Sequence, residues 1–122
     1  MAERIQRSLL PENIPEFRDV RVAFKYIPMM GVGGDFINIY HRKEDNKIGL
    51  FICDVSGHGV YAAMIASMVS NSLDFFWDTY FEKPSLILEK MSDFLKGKMG
   101  GNFFTGCICS IDIDKGQLIM AN

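Results

Sequence analysis

Apolar and polar positions alternate along this chain with two different periods, and the changes of period mark out its elements. Between residues 2 and 10, Ala2, Ile5 and Leu9 fall on one helical stripe, Arg4, Gln6 and Arg7 fall off it, and Pro11 ends the pattern. A helix this short is unstable alone in water, so it needs a surface to lie on or an upstream continuation such as a coiled coil with a partner chain. Val20, Val22, Phe24 and Tyr26 then alternate with Arg21, Ala23 and Lys25, which predicts a half-buried strand stopped by Pro28. GVGGD at 31–35 is a glycine-rich turn into FINIY, and the polar HRKEDNK at 41–47 joins it to GLFICDV at 49–55, the pattern of a hairpin.

After SGHG at 56–59 the period lengthens. Ala62, Ala66, Val69, Leu73, Phe76, Trp77 and Tyr80 recur at helical spacing, which predicts a long helix leaving the glycine turn. Pro84 and Ser85 open a second helix with Ile87, Met91, Phe94 and Leu95 on its face, closed by Gly97, Gly100 and Gly101. A last hairpin pairs FTGCICSID with QLIMAN across a turn at Asp114 to Gly116. Hairpins separated by a helical pair argue for an α+β fold rather than an alternating parallel one.

Composition narrows the function classes. Thirteen Lys and Arg against fifteen Asp and Glu give a net charge of -2, so no basic field is available for nucleic acid or anionic lipid, and a phosphate-bearing partner has to be met locally. Cys53, Cys107 and Cys109 are odd in number and sit in apolar runs, which fits reduced thiols in the cytoplasm. The residues before Pro11 lack the continuous apolar core of a signal peptide. The uncharged stretch from Gly59 to Leu73 holds Ser67, Ser70, Asn71 and Ser72 and meets Asp74 too soon to span a bilayer.

The densest chemistry lies in two glycine-bracketed aspartates, Asp35 in GVGGD and Asp54 in CDVSGHG. One enters a strand and the other leaves its neighbour, so they can face each other across the hairpin. Carboxylates beside glycines that expose backbone carbonyls suit a hard cation such as Mg²⁺ or Mn²⁺, while turn formation and capping are the alternative roles for the same residues. His58 suits protonation of a leaving oxygen near neutral pH, and it also stands where a residue caps the long helix. Cys107 and Cys109 form a C-x-C pair that lacks the further ligands of a zinc site. His41 is expected to be solvated in a charged turn. Phe75, Phe76, Trp77, Tyr80 and Phe81 offer either core or an interaction patch.

IQRSLLP at 5–11, YIPMMGVGGDF at 26–36, DVSGHGVYAAM at 54–64, FFTG at 103–106 and DIDKGQLIMAN at 112–122 together resemble the PPM-type, or type 2C-like, serine phosphatases of the bacterial SpoIIE and RsbU branch. The resemblance implies a four-layer αββα sandwich of antiparallel sheets flanked by helices. Residues 1–15 would be a lead-in helix and linker, and residues 16–122 the N-terminal portion of the phosphatase domain. It also implies a protein serine/threonine phosphatase in which a water activated by Mn²⁺ or Mg²⁺, two ions in the complete domain, attacks a phosphoserine. Two such ions lower the pKa of bound water and neutralise the phosphoryl oxygens, so no cysteine nucleophile is needed.

Carried over by motif, Asp54 would bridge the metals, Val55 would offer its backbone carbonyl, and Asp35 would bind a metal directly or through water. Gly34, Gly57, His58 and Gly59 would shape the site. The implied substrate is a phosphorylated anti-sigma factor antagonist in the cytoplasm, the lead-in helix would relay a signal from an upstream sensor domain, and a homodimer is compatible with both. Arg18 and Arg21 lie in no motif that assigns them to phosphate. Two departures stand out. GGDFIN replaces the common GGDFYD, so Ile37 and Asn38 are expected to alter a contact behind the metals. The family's further metal-binding aspartates lie beyond the Ala121 and Asn122 pair, and Asp112 and Asp114 match no ligand motif, so this chain alone is expected to be inactive. A non-catalytic interaction or dimerisation module is the competing reading.

Overall fold

A computed structural model describes residues 2–27 and 32–122, with the side chains of Ala2, Glu3 and Ile5 outside the description. The expected stop at Pro28, the residues Met29 and Met30, and the first glycine of the turn at Gly31 therefore lie outside the described residues, as do the side chains at the stripe positions Ala2 and Ile5. The elements run α1 (Ala2–Ser8), β1 (Phe36–Arg42), a 3-10 turn (Lys43–Asp45), β2 (Lys47–Val55), α2 (Gly59–Tyr80), α3 (Pro84–Leu95), β3 (Phe104–Asp112) and β4 (Gln117–Ala121).

The four strands form one antiparallel sheet in the order β1-β2-β3-β4, with both long helices inserted between β2 and β3. Because side chains alternate across a strand, the register sorts every residue onto one of two faces. The inner face carries Phe36 and Cys53 in one row, Asn38, Phe51 and Ile108 in the next, and Tyr40, Gly49 and Ser110 in a third. Against it α2 lays Ala66, Val69, Leu73 and Trp77, and α3 lays Ile87, Met91 and Leu95, all fully buried. Trp77 stacks on Tyr40 at 5.3 Å over Gly49, where an added Cβ would come within 2.6 Å of the indole ring. The fold is α+β, and the described residues contribute one sheet and one helical layer to the expected sandwich.

Two expectations are corrected. Val20, Val22, Phe24 and Tyr26 keep their alternation, half-buried between exposed Arg21, Ala23 and Lys25, but the segment is not a strand. A strand needs a neighbour to share its ladder, and among the described residues β1 pairs with β2 alone. His41 lies within β1 rather than in a turn, half-buried with its ring edge-on to Phe17 at 4.7 Å.

Candidate functional site

The site grows from the end of the β1–β2 hairpin. Phe36 pairs with Cys53, and the pairing continues one step beyond β1, where the N–H of Val55 donates to the carbonyl of Gly34 at 3.3 Å. Asp35 and Asp54 are thereby set opposite each other on the outer face, the face α2 and α3 leave open. Burial of Asp35, followed by the charge of Asp54 and a hydrogen bond to it, holds the Asp35 carboxyl above the ordinary aspartate value. Two carboxylates facing each other at this range are a place where a cation relieves repulsion.

The backbone makes the approach possible. An added Cβ on Gly34 would stand 2.4 Å from the carbonyl oxygen of Val55, so only glycine lets the two strands close here, one residue along from the facing carboxylates. Downstream, Gly57 and Gly59 have φ of 94° and 72°, which turn the chain from β2 into α2. Ser56 pins this turn: its hydroxyl donates to Asn102 Oδ1 at 3.1 Å and accepts the N–H of Phe103 at 3.0 Å.

An open cleft of about 580 Å³ runs over Asp35 and Asp54, walled by Lys25, Tyr26, Ile37, Ile52, Thr105, Cys107 and Asn122. The phenol of Tyr26, which lines the same cleft as Asp35, is pushed upward first by burial and then by the Asp35 charge. Thr105 sits opposite Asp54 in the β2–β3 register. Sequence reasoning passed over Lys25, Tyr26 and Thr105. The FFTG block contained Thr105, but its position depends on a pairing across some fifty residues of intervening chain.

Of the residues singled out in the sequence, Asp35, Asp54, Val55 and Gly34 are brought together. His58 is not part of the cleft wall: it is the residue before α2, exposed, and its imidazole makes no capping hydrogen bond. Asn38 points the other way. Its parity in β1 puts it on the inner face, where its Oδ1 accepts the Trp77 indole N–H at 3.1 Å and its Nδ2 donates to Asp74 at 3.4 Å. Ile37 lines the cleft instead. Asp112 closes the opposite end of the sheet, paired with Lys47 seven residues before Asp54, roughly 23 Å away along the strand. Cys107 lines the cleft and Cys109 lies further along the same face, while Cys53 is buried in the core.

Among the described residues no three His, Cys, Asp or Glu side chains converge on one point. The donors gathered here are two carboxylates and one carbonyl, all hard oxygen ligands, which fits Mg²⁺ or Mn²⁺ and argues against the softer zinc sites.

Comparison with known proteins bears on the family and the fold. Over its full length the chain is similar to phosphoserine phosphatase RsbU of Bacillus subtilis (strain 168), at 25% identity across 123 residues, and it spans 36% of that protein. Its fold matches the SiaA-PP2C domain of Pseudomonas aeruginosa with a TM-score of 0.67 at 20% identity, covering 76% of this chain and 38% of that one. It also matches the RsbU and RsbW domains of Rv1364c from Mycobacterium tuberculosis, with a TM-score of 0.57 at 29% identity, over 66% of this chain and 22% of that one. Residues 44–122, more than half of the chain, match the family of Stage II sporulation protein E (SpoIIE), and the chain belongs to that family.

Proposed function

We propose that this chain is the N-terminal part of a metal-dependent protein serine/threonine phosphatase acting on a phosphoserine of a signalling protein. The observation that carries this reading is the facing of Asp35 and Asp54 at the paired ends of β1 and β2, beside the Val55 carbonyl. The relative named as a phosphoserine phosphatase is similar over the whole of this chain and supports the reaction class.

Asp35, Asp54 and the Val55 carbonyl would hold Mn²⁺ or Mg²⁺. When bound, such ions lower the pKa of a water and neutralise charge on phosphoryl oxygens. The chain's own residues do the rest. The Gly34–Val55 backbone bond fixes the two carboxylates in register, and the Ser56 turn keeps β2 from sliding past the loop at Asn102 and Phe103. Lys25 supplies a positive charge on the cleft wall, where a phosphate monoester would lie. An anti-sigma factor antagonist as substrate, a sensor preceding α1 and a cytoplasmic setting belong to the same proposal. Among the described residues no helix is long and apolar enough to cross a membrane.

A second reading, an interaction module, is favoured by one observation. Ile52 stands exposed in the cleft wall, and Met120 and Leu118 stand exposed further along the same outer face. Hydrolysis of a phosphoserine peptide by the intact protein that carries this chain, with and without Mn²⁺, separates the two. Metal-dependent turnover that disappears in Asp54→Asn supports the phosphatase. Absence of turnover in the wild type, with retained binding of the phosphopeptide, supports the module.

A further inference from the structure

Gln6 is an amide buried to 2% exposure in a helix of only seven residues. Its side chain takes hold of a single residue of the glycine turn from both sides. The N–H of Gly33 donates to Gln6 Oε1 at 2.8 Å, and Gln6 Nε2 donates to the Gly33 carbonyl. The same nitrogen donates to the Tyr26 hydroxyl at 3.1 Å, so both of its hydrogens have acceptors.

The place of Gly33 in the chain gives the contact its meaning. The next residue, Gly34, is fastened by its carbonyl to the Val55 N–H, and Asp35 comes after it, opposite Asp54. Neither Gly33 nor Gly34 has a side chain with which to anchor itself, so this turn is fixed through its backbone groups, one residue by Gln6 and the next by β2. Tyr26, the third member of the cluster, also walls the cleft. α1 itself lies against α2, so the grip of Gln6 depends on where that short helix rests.

We infer that Gln6 is a positioning residue that ties the seat of α1 to the placement of Asp35, so that displacing α1 weakens the hold of the centre on its cation. The inference rests on the metal reading above. It names a residue outside the centre through which the N-terminal helix would regulate it.

The test uses the intact protein, Mn²⁺ as probe, and two variants. Gln6→Leu fills the same space and removes both polar ends. Gln6→Glu keeps the acceptor for the Gly33 N–H but replaces the donor facing the Gly33 carbonyl. Removing partners from buried backbone groups is expected to speed exchange of the Gly33 amide about tenfold or more in Gln6→Leu, with the β2 and β3 amides unchanged. The Mn²⁺ dissociation constant is expected to rise about tenfold in both variants, with partial Gly33 protection kept in Gln6→Glu. If Gln6→Leu does not fold, Gln6→Glu carries the test. Wild-type Mn²⁺ affinity in both variants overturns the coupling, as does weakened affinity accompanied by equal loosening of the β2–β3 amides. Failure of the wild type to take up Mn²⁺ overturns the metal reading and this one with it.

Discussion

Replacing Gly34 by alanine isolates the close approach on which the centre depends. Gly34 is not among the glycines with positive φ, so alanine meets no backbone penalty and the perturbation is steric alone. The new methyl carbon would lie 2.4 Å from the Val55 carbonyl oxygen and 3.0 Å from Val55 Cβ. Non-bonded heavy atoms settle near 3.5 Å, so the strand ends must part by about 1 Å. Val55 is 1% exposed and packed in the core, which leaves it no room to withdraw. Overpacking of this kind costs about 1–3 kcal/mol, and weakening the Gly34–Val55 hydrogen bond adds about 1 kcal/mol. A urea midpoint lowered by roughly 1–2 M is expected, from a total of about 2–4 kcal/mol. Displacing one carboxylate by about 1 Å should weaken Mn²⁺ binding at least tenfold. Gly33→Ala is the control, because among the described residues its Cβ would meet no atom closer than 3.8 Å. Urea unfolding followed by Trp77 fluorescence, with a Mn²⁺ titration, reads both effects in the intact protein. If Gly34→Ala matches Gly33→Ala in midpoint and affinity, the strands do not close at Gly34 and the argument for the Val55 carbonyl fails.

Other consequences are open to simpler tests. Arg42 hydrogen-bonds Asp45 and holds its carboxyl down at about 2, against an ordinary 3.8. A depressed carboxylate stabilises the fold above the ordinary value and loses that effect as pH falls toward 2, so urea midpoints between pH 5 and pH 2 should drop less steeply in Asp45→Asn; equal slopes would count against the pair. Burial pushes the Cys53 thiol upward and leaves it 2% exposed, so iodoacetamide mapping of the native protein should leave it unmodified until the sheet unfolds, and early alkylation there would contradict the packing. Asn38→Leu strips the Trp77 indole N–H of its acceptor and should destabilise the fold by about 1–3 kcal/mol while sparing Mn²⁺ affinity; loss of affinity instead would put Asn38 back behind the metals.

From β1 onward, the local pattern of the chain was enough to order the elements. Helical spacing from Ala62 to Tyr80 and alternation through GLFICDV are local patterns, and α2 and β2 appear where those patterns run. It also determined the backbone turns at Gly57 and Gly59, whose conformations other residues rarely adopt. The pair Asp35 and Asp54 was legible because a hairpin of local register joins them. Tertiary structure decided what depends on distant partners. Val20 to Tyr26 has the period of a strand yet forms none, because a ladder needs a neighbour laid alongside and no periodicity reports whether one is there. The face taken by Asn38 follows from strand parity counted from Asp35, and its role follows from Trp77, thirty-nine residues away. Thr105 reaches the cleft through the β2–β3 register, and Gln6 meets Gly33 across twenty-seven residues. Such contacts form only after packing has brought the elements together, so they leave no local mark in the sequence.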